Sequence, residues 1–495
     1  MTVVVIQKGT TALYVPTNSS GYLINNKSED TEIRILPFIK QNLIEYEWNP
    51  RRKISFEKYR YTYYDRATNT LNLPVNILPF LIRYLESSGV EVIVKDVPPN
   101  DARDISVTDN GSFEDRDYQT ESIDFATSGC GMKALDMLTG AGKTLVAIKS
   151  ILKVKKRALI IVLASLMSQW EDVLVAMCDV NVKIIRGNAS IYNFIKNDYE
   201  TDGEIFLCSI DTLRDYARQK GVYNAFPPFR EFIRRMMFGV KVSDEIHLNF
   251  NANTLIDIQS DVAINIYLSA SYMRSSGNSE RIFRKVFPDE IRFSSTILKR
   301  KKHVNITECQ YSLGPMLSKY YLTDRGYSQH KYEKYLMSRQ RTIQEFLTRV
   351  LQPIIEYYYI SKREPGHKLL VIVGLKDFAE LLTMWFRELH PELRSVAFLH
   401  GVDDQEIIDS DVIFSTLGST GTGRDLKGLR TVIMITSFGS DAITTQSIGR
   451  LRELPGYDTE FIYVACSSIS SHKNHAIRRR PYYKEVGKSF SIVVV

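Results

Sequence analysis

The chain has 495 residues, 44% hydrophobic and 24% charged, which excludes a wholly disordered, collagenous or disulfide-scaffold protein. At roughly 150 residues per domain, that length predicts three units, or two with an appended arm. The net charge of +7 allows a polyanionic partner without requiring one.

The first predicted element is a polar, Tyr-rich arm, 1–105. It opens on Met1–Lys8, which has neither a basic segment nor a long apolar one, so no secretory signal is expected. Within the arm, Asn49–Arg66 carries six basic and two acidic residues among five aromatics. Cations suit phosphates and flat rings suit bases, which makes Arg51, Arg52, Lys53, Arg60 and Tyr61 candidate nucleic-acid contacts. A Tyr-rich β-hairpin with a solvated face would produce the same pattern. Pro79–Ser88 reads as a helix followed by the strand Val90–Val94, so the arm is predicted to be a small α/β module. Turn-forming residues between Asp96 and Phe113 mark its end.

From 106 to 295, short apolar runs alternate with helical segments. Lys156–Leu163, Glu204–Cys208, Val240–Ser243 and Ala263–Leu268 each suit a buried parallel strand. The alternation predicts a doubly wound α/β sheet. A basic, Tyr-rich and mostly helical connector is expected over 296–366. There Ile343, Phe346, Leu347, Val350, Leu351, Ile354 and Ile355 recur at helical spacing, with Pro353 at a kink or restart. The α/β rhythm resumes over 367–495 in Lys368–Val373, Ser395–Leu399, Asp411–Ser415, Thr431–Ile435 and Phe461–Ala465, a second parallel sheet. The tail adds Lys473, Arg478, Arg479, Arg480, Lys484 and Lys488, either a second basic patch or a solvated terminal helix. The longest aliphatic run, Ala158–Ala164, falls far short of the roughly 18 residues that span a bilayer, so no membrane partner is expected. Cys130, Cys178, Cys208, Cys309 and Cys466 are far apart in sequence and predict reduced thiols in a cytoplasmic protein.

Three strings carry chemistry. In Leu138–Thr144 a Gly-rich turn offers backbone N–H groups to a phosphate, Lys143 faces the β- and γ-phosphates, and the Thr144 hydroxyl ligates Mg²⁺. After the strand Val240–Ser243 come Asp244, which suits Mg²⁺ through water, and Glu245, which suits a base that aligns and deprotonates the attacking water. Near the end of the second sheet, Gln446–Arg452 offers Arg450 and Arg452 as guanidinium partners for a γ-phosphate.

These strings, in this order on two α/β units, resemble the superfamily 2 helicases over about Phe113–Cys466. The resemblance implies two tandem RecA-like motor domains that use ATP and Mg²⁺ to move along nucleic acid. It makes Gln119, in Arg116–Gln119, the adenine-reading residue. Gly140, Gly142, Lys143 and Thr144 belong to its motif I, and Val162–Trp170 resembles motif Ia. Asp244–His247 is similar to a DExH motif II, and Ser269–Ser271 to motif III, which implies that His247, Ser269 and Ser271 couple the ATP site to the track. Val412–Asp425, with Gly423 and Asp425, resembles motif V, and Gln446–Arg452 resembles motif VI. The family's last motif VI arginine falls on Glu453, which leaves Arg450 as the finger.

In layout the arm looks like the DNA-binding domain of phage UvsW-type branch-migration helicases. That likeness implies single-stranded, forked or branched DNA as partner, host cytoplasm as location, and roles in recombination, replication or repair. The expected protein is a monomeric ATP-dependent DNA helicase. An RNA helicase on the same fold and a non-motor nucleic-acid-binding factor are the alternatives.

Overall fold

The structure, a computed structural model, describes residues 2–495 except 28, 50–52, 112–114, 138–140, 270–276, 295–301, 324–325, 399–403, 417–425, 438–443 and 445–446. The chain divides into two compact units, Met1–Trp48 with Ser55–Leu298, and Asn49–Ile54 with Lys299–Val495.

The first unit is built on a seven-stranded parallel sheet. Its order is Val182–Ile185, Ile205–Ser209, Ala158–Val162, Val240–Ser243, Ile264–Ser269, Gly131–Asp136 and Arg292–Ser294. Ala158–Val162 and Val240–Ser243 are buried at every residue, because helices cover both faces of a parallel sheet. Alternation sends Ile160 and Val162 into one core with Val146, Ile148 and Trp170, and Leu159 and Ile161 into another with Phe206 and Phe232.

The arm forms a five-stranded sheet in the order Tyr63–Asp65, Thr70–Pro74, Ala12–Pro16, Thr2–Lys8 and Val90–Asp96. The helix Leu78–Ser87 lies where Pro79 and Gly89 predict one. Val4, Ile6, Leu13, Val15 and Leu81 share one core with Ala134, Phe250, Tyr267 and Phe283 of the larger sheet's unit. Polar contacts fasten the same seam. Thr11 Oγ1 donates to the carbonyls of Asp257 and Ser260 at 2.7 Å each, Tyr14 donates to Asp261 Oδ2 at 2.6 Å, and Asn72 Nδ2 donates to the Ile258 carbonyl at 2.9 Å. The boundary near residue 105 thus separates two sheets and not two cores.

The second unit holds another seven-stranded parallel sheet, ordered Ser395–Phe398, Val412–Thr416, Lys368–Val373, Leu429–Met434, Thr459–Cys466, Val304–Tyr311 and Ser489–Val494. The α/β class with two large parallel sheets is therefore as the sequence predicts. One segment of the expected helical connector is corrected: Val304–Tyr311 is a mostly buried strand of this sheet. The rest of the connector is largely helical. The stripe from Ile343 to Ile355 is buried in one cluster with Leu369 and Val371, and Pro353 lies in the first turn of the restarted helix Gln352–Tyr358, after a π-helical turn, Leu347–Leu351. The tail is a helix, Ser470–Val486, followed by an edge strand. Its charge is only partly solvated: Arg479 is buried, and Arg480 makes two hydrogen bonds, 2.8 and 2.9 Å, to the buried Glu308. Among the described residues no helix is long and apolar enough to cross a membrane.

Candidate active site

The strand Gly131–Asp136 precedes Gly142 in the chain, and the helix Lys143–Val154 begins directly after that glycine. Gly142 has φ +81°, a backbone conformation that favours glycine, and a Cβ on it would displace the Gln119 side-chain amide. Gln119 is buried. Its Oε1 accepts the Arg116 N–H at 2.9 Å, and its Nε2 donates to the Ala141 carbonyl at 3.0 Å, a position in which it braces the turn. Tyr118 donates to the same carbonyl at 3.2 Å. Thr144 is half-buried in the first turn of the helix.

Ala158–Val162 and Val240–Ser243 are neighbouring parallel strands, so residues just past their C-terminal ends are neighbours too. Beyond the second of these strands, Glu245 adopts φ +45°, a left-handed conformation that costs about 1 kcal/mol or more in a residue with a side chain. That turn brings Glu245 Oε1 to 2.6 Å from Lys143 Nζ, across 102 residues of sequence. Both side chains are mostly buried, at 11% and 15% exposure. Burial opposes the charge on Lys143, but the carboxylates of Glu245 and Asp244 outweigh it and raise its pKa, so the ammonium stays charged.

Asp244 is held at both oxygens. Oδ1 accepts the Glu245 backbone N–H at 2.9 Å, and Oδ2 accepts the Trp170 indole N–H at 3.2 Å. Burial, then the charge of Glu245, moves its carboxyl above the usual range, while Lys143 and Trp170 pull the other way. His247 Nδ1 lies 2.8 Å from Ser269 Oγ and 3.3 Å from Glu245 Oε2. Lys143, Asp244, Glu245, His247 and Ser269 thus converge on the C-terminal edge of the first sheet.

This donor set fits a magnesium nucleotide. A buried ammonium and the N–H groups of a helix start suit phosphate oxygens. Thr144 and Asp244 would supply the one or two protein oxygens that a Mg²⁺ ion takes. Bound there, a nucleoside triphosphate would supply the anhydride bond to be cleaved. Glu245 would then exchange its lysine partner for a water, as Lys143 turns to phosphate.

Other expectations fall elsewhere. Gly140, Ser271, Gly423, Asp425, Gln446, Arg51 and Arg52 lie outside the described residues. Arg450 and Arg452 belong to the second unit, where Arg450 is half-buried and Arg452 Nη1 donates to the Gly449 carbonyl at 3.0 Å. Lys53 is exposed, and Arg60 is exposed in a two-point pair with Glu57 at 2.6 and 2.9 Å. Tyr61 is a correction: it is 2% exposed, with its hydroxyl on Glu45 Oε2 at 2.9 Å and its ring 4.9 Å from Phe250, so it packs in the core and presents no face to a base. Trp170 is the site residue to which the sequence reading gave no role. Its signal was its place after a strand adjacent to the one that ends at Ser243, just before Asp244.

A lysine opening a helix directly after Gly142, opposite an acidic pair just past the end of a nearby parallel strand, is the arrangement of a P-loop type of α/β site. Residues 112–273, which hold all of these groups, match the family described as type III restriction enzyme, res subunit. That segment overlaps the one in which the first motifs resemble those of the superfamily 2 helicases. No curated protein matches the chain in sequence. Among solved structures, the crystal structure of T4 UvsW aligns with 99% of this chain and 99% of its own at 13% identity and a TM-score of 0.37.

Proposed function

We propose that the chain is an ATP-dependent DNA helicase or translocase that unwinds, anneals or branch-migrates DNA in replication, recombination or repair. The observation that carries this reading is the 2.6 Å pairing of Lys143 with Glu245, with Asp244 and the His247–Ser269 bond beside it. In it Lys143 and Thr144 hold the phosphates and Mg²⁺, Asp244 completes the metal's protein ligands, and Glu245 takes the proton of the attacking water. Gln119 serves the base through the turn it braces. Arg450, with Arg452 beside it, is assigned the charge of the transferring phosphoryl group on the strength of the Q-x-x-G-R string. His247 and Ser269 relay the state of Glu245 to the end of the strand Ile264–Ser269.

DNA is favoured over RNA by the layout of the arm, with Lys53 and Arg60 as phosphate contacts. Backbone phosphates dominate such binding, so salt dependence is expected. The test is ATPase and strand separation by the intact chain with single-stranded, forked and four-way DNA and with RNA, side by side. Stimulation by forked or four-way DNA supports the proposal. Stimulation by RNA alone would reassign the substrate, and no stimulation by any nucleic acid would overturn the motor reading.

A further inference from the structure

The Asp244 carboxylate is oriented by a side chain from another element. Trp170 is the fourth residue of the helix Met167–Met177, 2% exposed and packed in the core with Val162, Leu174 and Val242. Its indole N–H reaches Asp244 Oδ2 at 3.2 Å, while Asp244 Oδ1 is fixed by the Glu245 N–H at 2.9 Å. One donor on each oxygen leaves the carboxylate a single orientation. An indole N–H only donates, so it steers that oxygen without competing with it for a cation. Packing on all sides prevents the ring from following a rotating carboxylate, and partners of this kind set the affinity of a metal site.

We propose that Trp170 is the positioning residue for the divalent cation, acting through Asp244, and that its indole reports whether the metal site is filled. The proposal rests on the reading of Asp244 as the ligand of a nucleotide-bound Mg²⁺. A cation near Asp244 withdraws electron density from Oδ2 and weakens the indole hydrogen bond, which changes the environment of the ring. Trp170 sits at the end of the Val162–Trp170 segment, so a displacement of that segment is transmitted to the carboxylate through one hydrogen bond.

The experiment has two arms. The chain contains three tryptophans, so W48F/W385F leaves Trp170 as the sole indole. Its emission is expected to change when ADP is added with Mg²⁺ and to remain as in the free protein when ADP is added with EDTA, with nucleotide binding followed independently by calorimetry. In the second arm, W170F is expected to raise the Mg²⁺ concentration for half-maximal ATPase about tenfold at saturating ATP, with kcat at saturating Mg²⁺ within about twofold of the parent. If Mg²⁺·ADP binds and the Trp170 emission does not respond, the proposal is overturned, whether or not W170F folds. An unchanged Mg²⁺ dependence in folded W170F would overturn it as well. If calorimetry detects no nucleotide binding by the parent chain, the nucleotide-site reading falls and takes the proposal with it.

Discussion

The C-terminal edges of the two seven-stranded sheets share a topology and differ in their polar chemistry. At the first, Glu245 faces a lysine and a histidine, charged or exchangeable side chains that a phosphate or a water can replace. At the second, Glu333 is fully buried, and its oxygens accept the backbone N–H groups of Gly374 at 2.7 Å and Leu375 at 2.6 Å and the Gln329 amide at 2.9 Å. Gln329 Oε1 in turn accepts the Ser437 N–H at 2.9 Å, and Ser437 Oγ lies 2.9 Å from the Tyr463 hydroxyl and 3.0 Å from His475 Nδ1. Backbone donors cannot leave, so the second network closes a joint where the first keeps partners that can be exchanged. Two buried carboxylates in the same architecture are therefore told apart by what donates to them.

The widest separation is expected from Glu245→Gln. It should retain nucleotide binding and lose about a thousandfold in turnover, read by calorimetry and nucleic-acid-stimulated ATPase, as loss of a general base implies. Normal turnover would remove Glu245 from the base role and break the contrast. Lys143→Ala comes next, with a loss of several hundredfold in kcat/KM for ATP, the scale of removing one donor to a developing phosphate charge.

Glu333 gives a stability effect instead. Burial pushes its carboxyl from 4.5 up to about 7, against the lowering by Gln329 and the N–H groups of Gly374 and Leu375. A carboxyl that holds its proton more tightly when folded stabilises the fold fully below pH 4.5, and that contribution is lost as pH rises through about 7. Denaturant melts should therefore show a decline on the order of 2–3 kcal/mol between pH 5 and 8, at about 1.4 kcal/mol per tenfold change in proton affinity. Glu333→Gln should flatten that slope; a slope unchanged in the variant would assign it to other groups.

The smallest effect concerns the arm. Tyr61→Phe should cost about 1 kcal/mol through loss of its bond to Glu45. It should leave DNA affinity unchanged, whereas Lys53→Ala should weaken binding and reduce its salt slope. Weakened DNA binding by folded Tyr61→Phe would restore the residue to the interface.

Legibility followed the range over which each feature is determined. Ala158–Val162 and Lys368–Val373 lie at the expected positions because each is an almost wholly apolar run buried in a parallel sheet. Gly131–Asp136 contains a glycine, a lysine and an aspartate, too few β-formers to stand out. Val304–Tyr311 reads Val-Asn-Ile-Thr-Glu-Cys-Gln-Tyr, a pattern for a half-exposed strand, and its buried Glu308 is paired with Arg480, 172 residues on. Tyr61 misled for a similar reason: its neighbours in sequence are basic, whereas its neighbour in space is Phe250. The site's spacing was legible because Lys143, Thr144, Asp244 and Glu245 each sit beside a turn or strand of recognisable composition. The Trp170 contact depended on which strands pair, which no local pattern states.

The seam between the arm and the larger sheet of the first unit has a practical consequence. Because Val4, Leu13 and Leu81 cover Ala134, Phe250 and Tyr267, a fragment cut at residue 105 would not be a smaller enzyme. It would expose an oily flank beside the strand that leads to the glycine turn. The arm's sheet and the strand Gly131–Asp136 are buried against one another in a single core, so they stand or fall together.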